Sequence, residues 1–126
     1  MKALNVIESA YRGTLEEQDD TIVWLTHNMK GAGADLGVLL RGNAVNYAVK
    51  AQSVEPLKFG DRQQKNAPRI ASDVAELPGK GVPVFVVRED LEARGIGEDE
   101  LVDGLEILSR GDEPELYERF DQVWHW

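Results

Sequence analysis

The sequence has no cysteine among its 126 residues. With its own side chains it therefore forms no disulfide, holds no persulfide and does no thiol chemistry. No disulfide framework argues for secretion. Long hydrophobic runs are missing as well, since nothing approaches the ~20 apolar residues of a membrane span. The opening MKALNVIESAY has one lysine and a short apolar run broken by Asn5 and Glu8, so no signal peptide is expected and the cytoplasm is the expected location. Histidine is scarce: His27 and His125 stand alone, with no His or Cys nearby, so no metal centre is expected. His27, three residues after Trp24, and His125, between Trp124 and Trp126, fit packing or surface roles. GADLG and GKGVP fit turns rather than a dinucleotide fingerprint or a phosphate loop, and no serine sits in a nucleophile elbow. No catalytic residue and no cofactor is expected.

Positive charge is in short supply, with 14 Lys and Arg against 23 Asp and Glu for a net charge of −9. The imbalance is local. Residues 89–121 carry thirteen acids against Arg94, Arg110 and Arg119, which leaves the remainder of the chain at about +1. Such a surface repels phosphate backbones, so neither nucleic acid nor an anionic membrane is an expected partner. Its plain role is solubility. Asp99, Glu100 and Asp103 cluster there; an acid/base site can use such residues, but their polar stretch after Gly97 reads as a solvated face.

What is present fits one soluble domain spanning 1–126, with 42% apolar and 29% charged residues. Three short apolar runs, Ala3–Ile7, Leu36–Leu40 and Val82–Val87, read as strands covered on both faces, as in a parallel sheet. Leu105–Leu108 and Gln122–Trp126 are weaker strand candidates. Helical patterns lie between them. Asp20–Lys30 places Ile22, Leu25, Thr26 and Met29 on one face and stops at Gly31 and Gly33. Asn43 can cap a helix that turns Val45, Ala48 and Val49 inward. Pro68 suits the first turn of a helix ending near Pro78-Gly79. Asp90–Arg94 and Glu113–Phe120 read as shorter helices. Strands alternating with helices predict an α/β fold, a three-layer sandwich around a mostly parallel sheet of about five strands.

In such sheets ligands bind beyond the carboxyl ends of the strands. Arg41, Gly42 and Asn43 follow one strand, and Val87, Arg88 and Glu89 close another. Together they form the candidate ligand pocket, where glycine permits close backbone approach and helix amides with the arginines would face an anion. The long polar segment from Gln52 to Asn66 holds Lys58, Arg62 and Lys65, close to Arg69. It reads either as a basic cover over an anionic ligand or as a solvated loop. The aromatic residues suggest an interface. Trp24 falls opposite Ile22 and Met29 on its helix, and Trp124 and Trp126 end a strand that a domain of this size has little room to bury. A homo-oligomer is the expected state.

With these residues in view, the chain resembles the DsrE/DsrF-like family of sulfur-relay proteins over nearly its full length. LLRGNAVNYAVKAQ (39–52) is similar to that family's second strand and following helix. GVPVFVVREDLEARGI (81–96) is similar to the strand that in the family ends in a cysteine, and LVDGLEIL (101–108) to a late strand. The resemblance implies a three-layer α/β fold, oligomers, and persulfide transfer on the strand-end cysteine to a partner. The matching position here is Val87, which has no nucleophile. Glu89 and Asp90 add negative charge beside it. The expectation is a non-catalytic oligomeric protein, a possible partner-binding subunit of a sulfur-relay system. The alternative is a small-anion or small-molecule binder, or a cysteine-independent enzyme, using the pocket at the strand ends.

Overall fold

The computed structural model describes residues 1–11 and 20–126. Strand β1 (Lys2–Ile7) leads to helix α1 (Thr21–Gly31), β2 (Asp35–Leu40) and a 3₁₀ helix over Gly42–Ala48. A small hairpin of β3 (Lys58–Phe59) and β4 (Arg62–Gln63) precedes α2 (Ile70–Gly79) and β5 (Val84–Val87). Then come α3 (Arg88–Glu92), β6 (Glu106–Leu108), α4 (Glu113–Glu118) and β7 (Gln122–His125). Short 3₁₀ turns over Glu98–Glu100 and Arg110–Asp112 flank β6.

Five strands form one sheet in the order β6-β5-β2-β1-β7, and every neighbouring pair is parallel. This is the expected α/β architecture. The apolar runs in β1, β2 and β5 are continuous because helices cover both sides of the sheet, so neither face of the pleat can be polar. Ala3, Ile7, Leu36, Val38, Leu40, Val84 and Val86 face one side, packed under α1, α2 and the 3₁₀ helix. Leu4, Val6, Leu39, Phe85 and Val87 face the other, packed against Leu116 and Phe120. The second face depends on close approach. Phe120 lies on Gly37, where an added Cβ would come within 2.6 Å of its ring, so glycine is required there by packing.

Several local features differ from expectation. The segment after Gly42 is 3₁₀ rather than α, and Asn43 lies within it while Arg41, at the N-cap, makes no side-chain capping bond. The cap is supplied from elsewhere, since Gly42 N–H donates to Asp90 Oδ2 at 2.7 Å. α2 begins at Ile70, two residues after Pro68. α3 starts directly at Arg88 rather than at Asp90. The polar segment 52–66 contains a hairpin that turns at Gly60, where φ is 59°. β5 begins after Pro83, which lacks the N–H a ladder residue needs, although its carbonyl still accepts from Val38 N–H at 2.9 Å. The start of α1 is as read: Asp20 is fully buried and its Oδ1 accepts from Ile22 and Val23 N–H, an N-cap arrangement.

Candidate functional site

The carboxyl ends of β2, β5 and β6 come together, and the residues there are joined by charge. Arg41, the first residue after β2, donates from Nη1 to Glu113 Oε2 at 2.9 Å, and its Nε lies 3.8 Å from Glu8 Oε1. Tyr117, one turn after Glu113 on α4, donates to the same Oε2 at 2.7 Å. Glu113 is almost wholly buried. Burial would lower the Arg41 pKa, but Glu113, Tyr117 and Glu8 outweigh it and hold it above its ordinary value. Burial, then the bond to Glu113, pushes the Tyr117 hydroxyl up, so it stays a donor.

A second group lies alongside. Asp90, buried at the start of α3, takes the Gly42 amide and an ion pair from Arg110. Arg94 donates to the Asp90 carbonyl at 3.0 Å and to Asn43 Oδ1 at 2.8 Å. Glu89 accepts from Arg110 N–H at 2.8 Å and from Ser109 Oγ at 2.9 Å. Those bonds, the Arg110 amide first, hold its carboxyl below the ordinary carboxylate range. Arg88 stands exposed, 3.6 Å from Glu98.

The structure therefore joins the two strand ends through Gly42–Asp90 and Asn43–Arg94, but the chain's own carboxylates occupy the positions an anion would take. Arg41 is bound by Glu113 and the Gly42 amide by Asp90. Val87 is 0% exposed and belongs to the apolar core under α4; it lines no open pocket. Of the residues expected to line a pocket, Arg41 meets Glu113, Gly42 meets Asp90, Asn43 meets Arg94, Glu89 meets Ser109 and Arg110, Val87 is buried and Arg88 stays exposed; residues far along the chain bring the compensating charge. Glu8, Asp90, Arg110, Glu113 and Tyr117 were not singled out as site residues. Glu113 and Tyr117 did carry a signal, as acid and phenol four apart beside Pro114 fall on one face of a helix.

The aromatic residues sit at the other edge. Among the described residues β7 pairs only with β1, and Trp126 continues the ladder by donating to Val6 O at 2.9 Å. Trp24 on α1 is 44% exposed and Trp126, just after β7, 39%, and Val123 in β7 is equally open. Trp124 is half-buried against the larger core. Leu25, Trp124, His125 and Trp126 line an open apolar groove of about 400 Å³ between α1 and β7. Behind it lies a polar contact: buried Asn5 donates to Thr26 Oγ1 at 3.0 Å and accepts from Trp126 Nε1 at 3.1 Å.

Of the basic residues near the hairpin, Lys65 and Arg69 share a cavity, whereas Lys58 and Arg62 lie exposed on the hairpin strands outside its walls. His27 Nε2 donates to Asp73 O at 2.8 Å, and its Nδ1 lies 3.0 Å from Lys80 Nζ; it bridges α1 and α2. His125 pairs with Glu8 at 2.6 Å. Asp99, Glu100 and Asp103 are exposed. Among the described residues no three His, Cys, Asp or Glu side chains are grouped to hold a metal, and no helix is long and apolar enough to cross a membrane.

No family model matches the sequence, and no curated protein matches it at a significant level. Solved structures do match in shape. The ychN protein of E. coli superposes with a TM-score of 0.71 at 21% identity, over 100% of both chains. MTH1491 of Methanobacterium thermoautotrophicum, a protein of unknown function, superposes with a TM-score of 0.70 at 16% identity, over 99% of this chain and 98% of its own. At such identities the likeness shows the fold.

Proposed function

We propose that this chain is a non-catalytic DsrE/DsrF-like protein that works in the cytoplasm as a homo-oligomeric, partner-binding subunit associated with sulfur relay, without carrying sulfur itself. The observation that carries the reading is Val87. It stands at the end of β5, where the resembling family places its cysteine, and it is sealed under α4. A site with neither a thiol nor an opening cannot accept a persulfide, which supports a role in assembly and binding.

The surface suited to assembly is the β7 edge. Its outer row of backbone N–H and C=O groups is flanked by Val123, Trp124 and Trp126, with no proline and no lysine to block pairing with another strand. Each large aromatic removed from water contributes roughly 1.5–3 kcal/mol, and several together offset the entropy lost on association. The occupant we assign is a second copy of this chain.

Light scattering at low micromolar concentration tests this. The expected mass is a multiple of 14.0 kDa, and a monomer mass overturns the oligomer. Removing residues 122–126 is expected to shift the protein to monomer; an oligomer unchanged by that truncation overturns the β7 edge as the interface.

A further inference from the structure

A cavity of about 770 Å³ is walled by the segment that follows the 3₁₀ helix, residues 50–56, by residues 65–69 and by the first turn of α2. Its polar wall holds three cations, Lys50, Lys65 and Arg69, and among the described residues none of its walls carries a carboxylate. In a chain with 23 acids against 14 bases, three like charges around one hollow require an explanation. At the strand ends Arg41, Arg88, Arg94 and Arg110 each have a carboxylate within 4.0 Å. Among the described residues Lys50 and Lys65 have none within that distance. Glu100, whose carbonyl accepts from Lys50 N–H at 2.9 Å, turns its side chain back to accept from Gly97 N–H at 2.7 Å.

The rest of the wall limits the ligand. Val54, Pro56 and Ile70 supply an apolar side, and the volume lies in the range of small-molecule sites, where apolar walls hold the body and a few polar groups orient it. The cations suit an oxyanion with more terminal oxygens than a carboxylate. Lysines act as point charges, each taking one oxygen, and a guanidinium has five donors, more than one partner uses. A phosphate or sulfate ester offers three terminal oxygens to such a set. The first turn of α2 also lines the hollow, and its ladder begins only with Asp73 N–H donating to Arg69 O, so the helix dipole adds to the same field.

We propose that this cavity is a binding site for a small organic oxyanion, a phosphate or sulfate monoester with a compact apolar body, held by Lys50, Lys65 and Arg69. The site is separate from the closed cluster at the strand ends and from the β7 edge, so its test is independent of the oligomeric state.

The experiment is calorimetric titration of the full chain at low salt with phenyl phosphate, phenyl sulfate and inorganic phosphate, together with amide NMR. Binding of at least one phenyl ester, more tightly than inorganic phosphate, with shifts at the Ala71 and Ser72 amides, is the expected result; which ester binds tighter identifies the head group. The double variant Lys50→Ala/Lys65→Ala is expected to weaken binding about tenfold or more, as loss of charge-assisted bonds implies, while Lys58→Ala on the hairpin leaves it unchanged. Four results overturn the proposal: no binding of any probe, inorganic phosphate binding as tightly as the esters, amide shifts confined to other elements, or equal weakening by Lys58→Ala and the double variant.

Discussion

The two groups of positive charge in this molecule are in opposite conditions. At the strand ends Arg41 and Arg110 are bound by Glu113 and Asp90, both buried. Beside α2, Lys50 and Lys65 face a hollow with no carboxylate among its described walls. A cation whose counter-charge comes from its own chain is part of the fold's stability, whereas cations gathered around open space are available to a ligand. The position where fold and resemblance direct attention is thus paired from within the chain, and the hollow beside α2 is the place where cations face open space.

The largest test of that contrast removes the counter-charge. Glu113→Ala would leave Arg41 partly buried without its main partner. Breaking such a pair costs about 3–5 kcal/mol when both ions are buried; because Arg41 keeps a quarter of its side chain in solvent and retains Glu8, about 2–3 kcal/mol is expected here. Urea unfolding measures it, and a loss under about 0.5 kcal/mol, the range of an ordinary surface substitution, would show that the cluster is not holding α4 to the sheet.

Val87→Cys measures how tightly the same region is closed. With the side chain 0% exposed, the introduced thiol can be modified only through local opening. Labelling by a disulfide reagent should be roughly 100-fold slower than at a cysteine placed at exposed Ser53. Comparable rates would mean that the strand end is open after all.

The smallest expected effect is on pH dependence. Glu89 has a carboxyl pKa below its ordinary 4.5 because Arg110 N–H and Ser109 Oγ donate to the charged form. A depressed carboxylate pKa means the unfolded chain takes up the proton first. The contribution is therefore present above about pH 4.5 and is lost as pH falls toward the folded value. Glu89→Gln should flatten the stability curve in that acid range and leave its slope at neutral pH alone; an unchanged acid limb would count against the bonds at the end of β6.

Much of the architecture is legible in the sequence. The runs ALNVI, LGVLL and VPVFVV mark the central strands, and Asp20 marks the start of α1, because burial on two faces and N-capping leave signatures within a few residues. The long polar segment 52–66 was readable as distinct, but its hairpin was not, since two-residue strands carry no periodicity. At the strand ends Gly42 and Arg41 are legible in the sequence, but their partners within the chain are not. The atom that binds Arg41 lies 72 residues away on α4, and the carboxylate on Gly42 lies 48 residues away on α3. Lys50 gave no signal at all.

By itself the sequence determined what this protein cannot do and the kind of fold it has. The absence of cysteine removes thiol chemistry whatever the structure, and alternating apolar strands and helices commit the chain to a parallel α/β sheet. Only the tertiary structure decided the strand order β6-β5-β2-β1-β7, the placing of α4 over Val87, and the meeting of Lys50 with Lys65 and Arg69 around one cavity. The reason is one of range. Backbone preference and side-chain period act over a few neighbours, while charge pairing and burial are settled between segments that touch only after the sheet has formed.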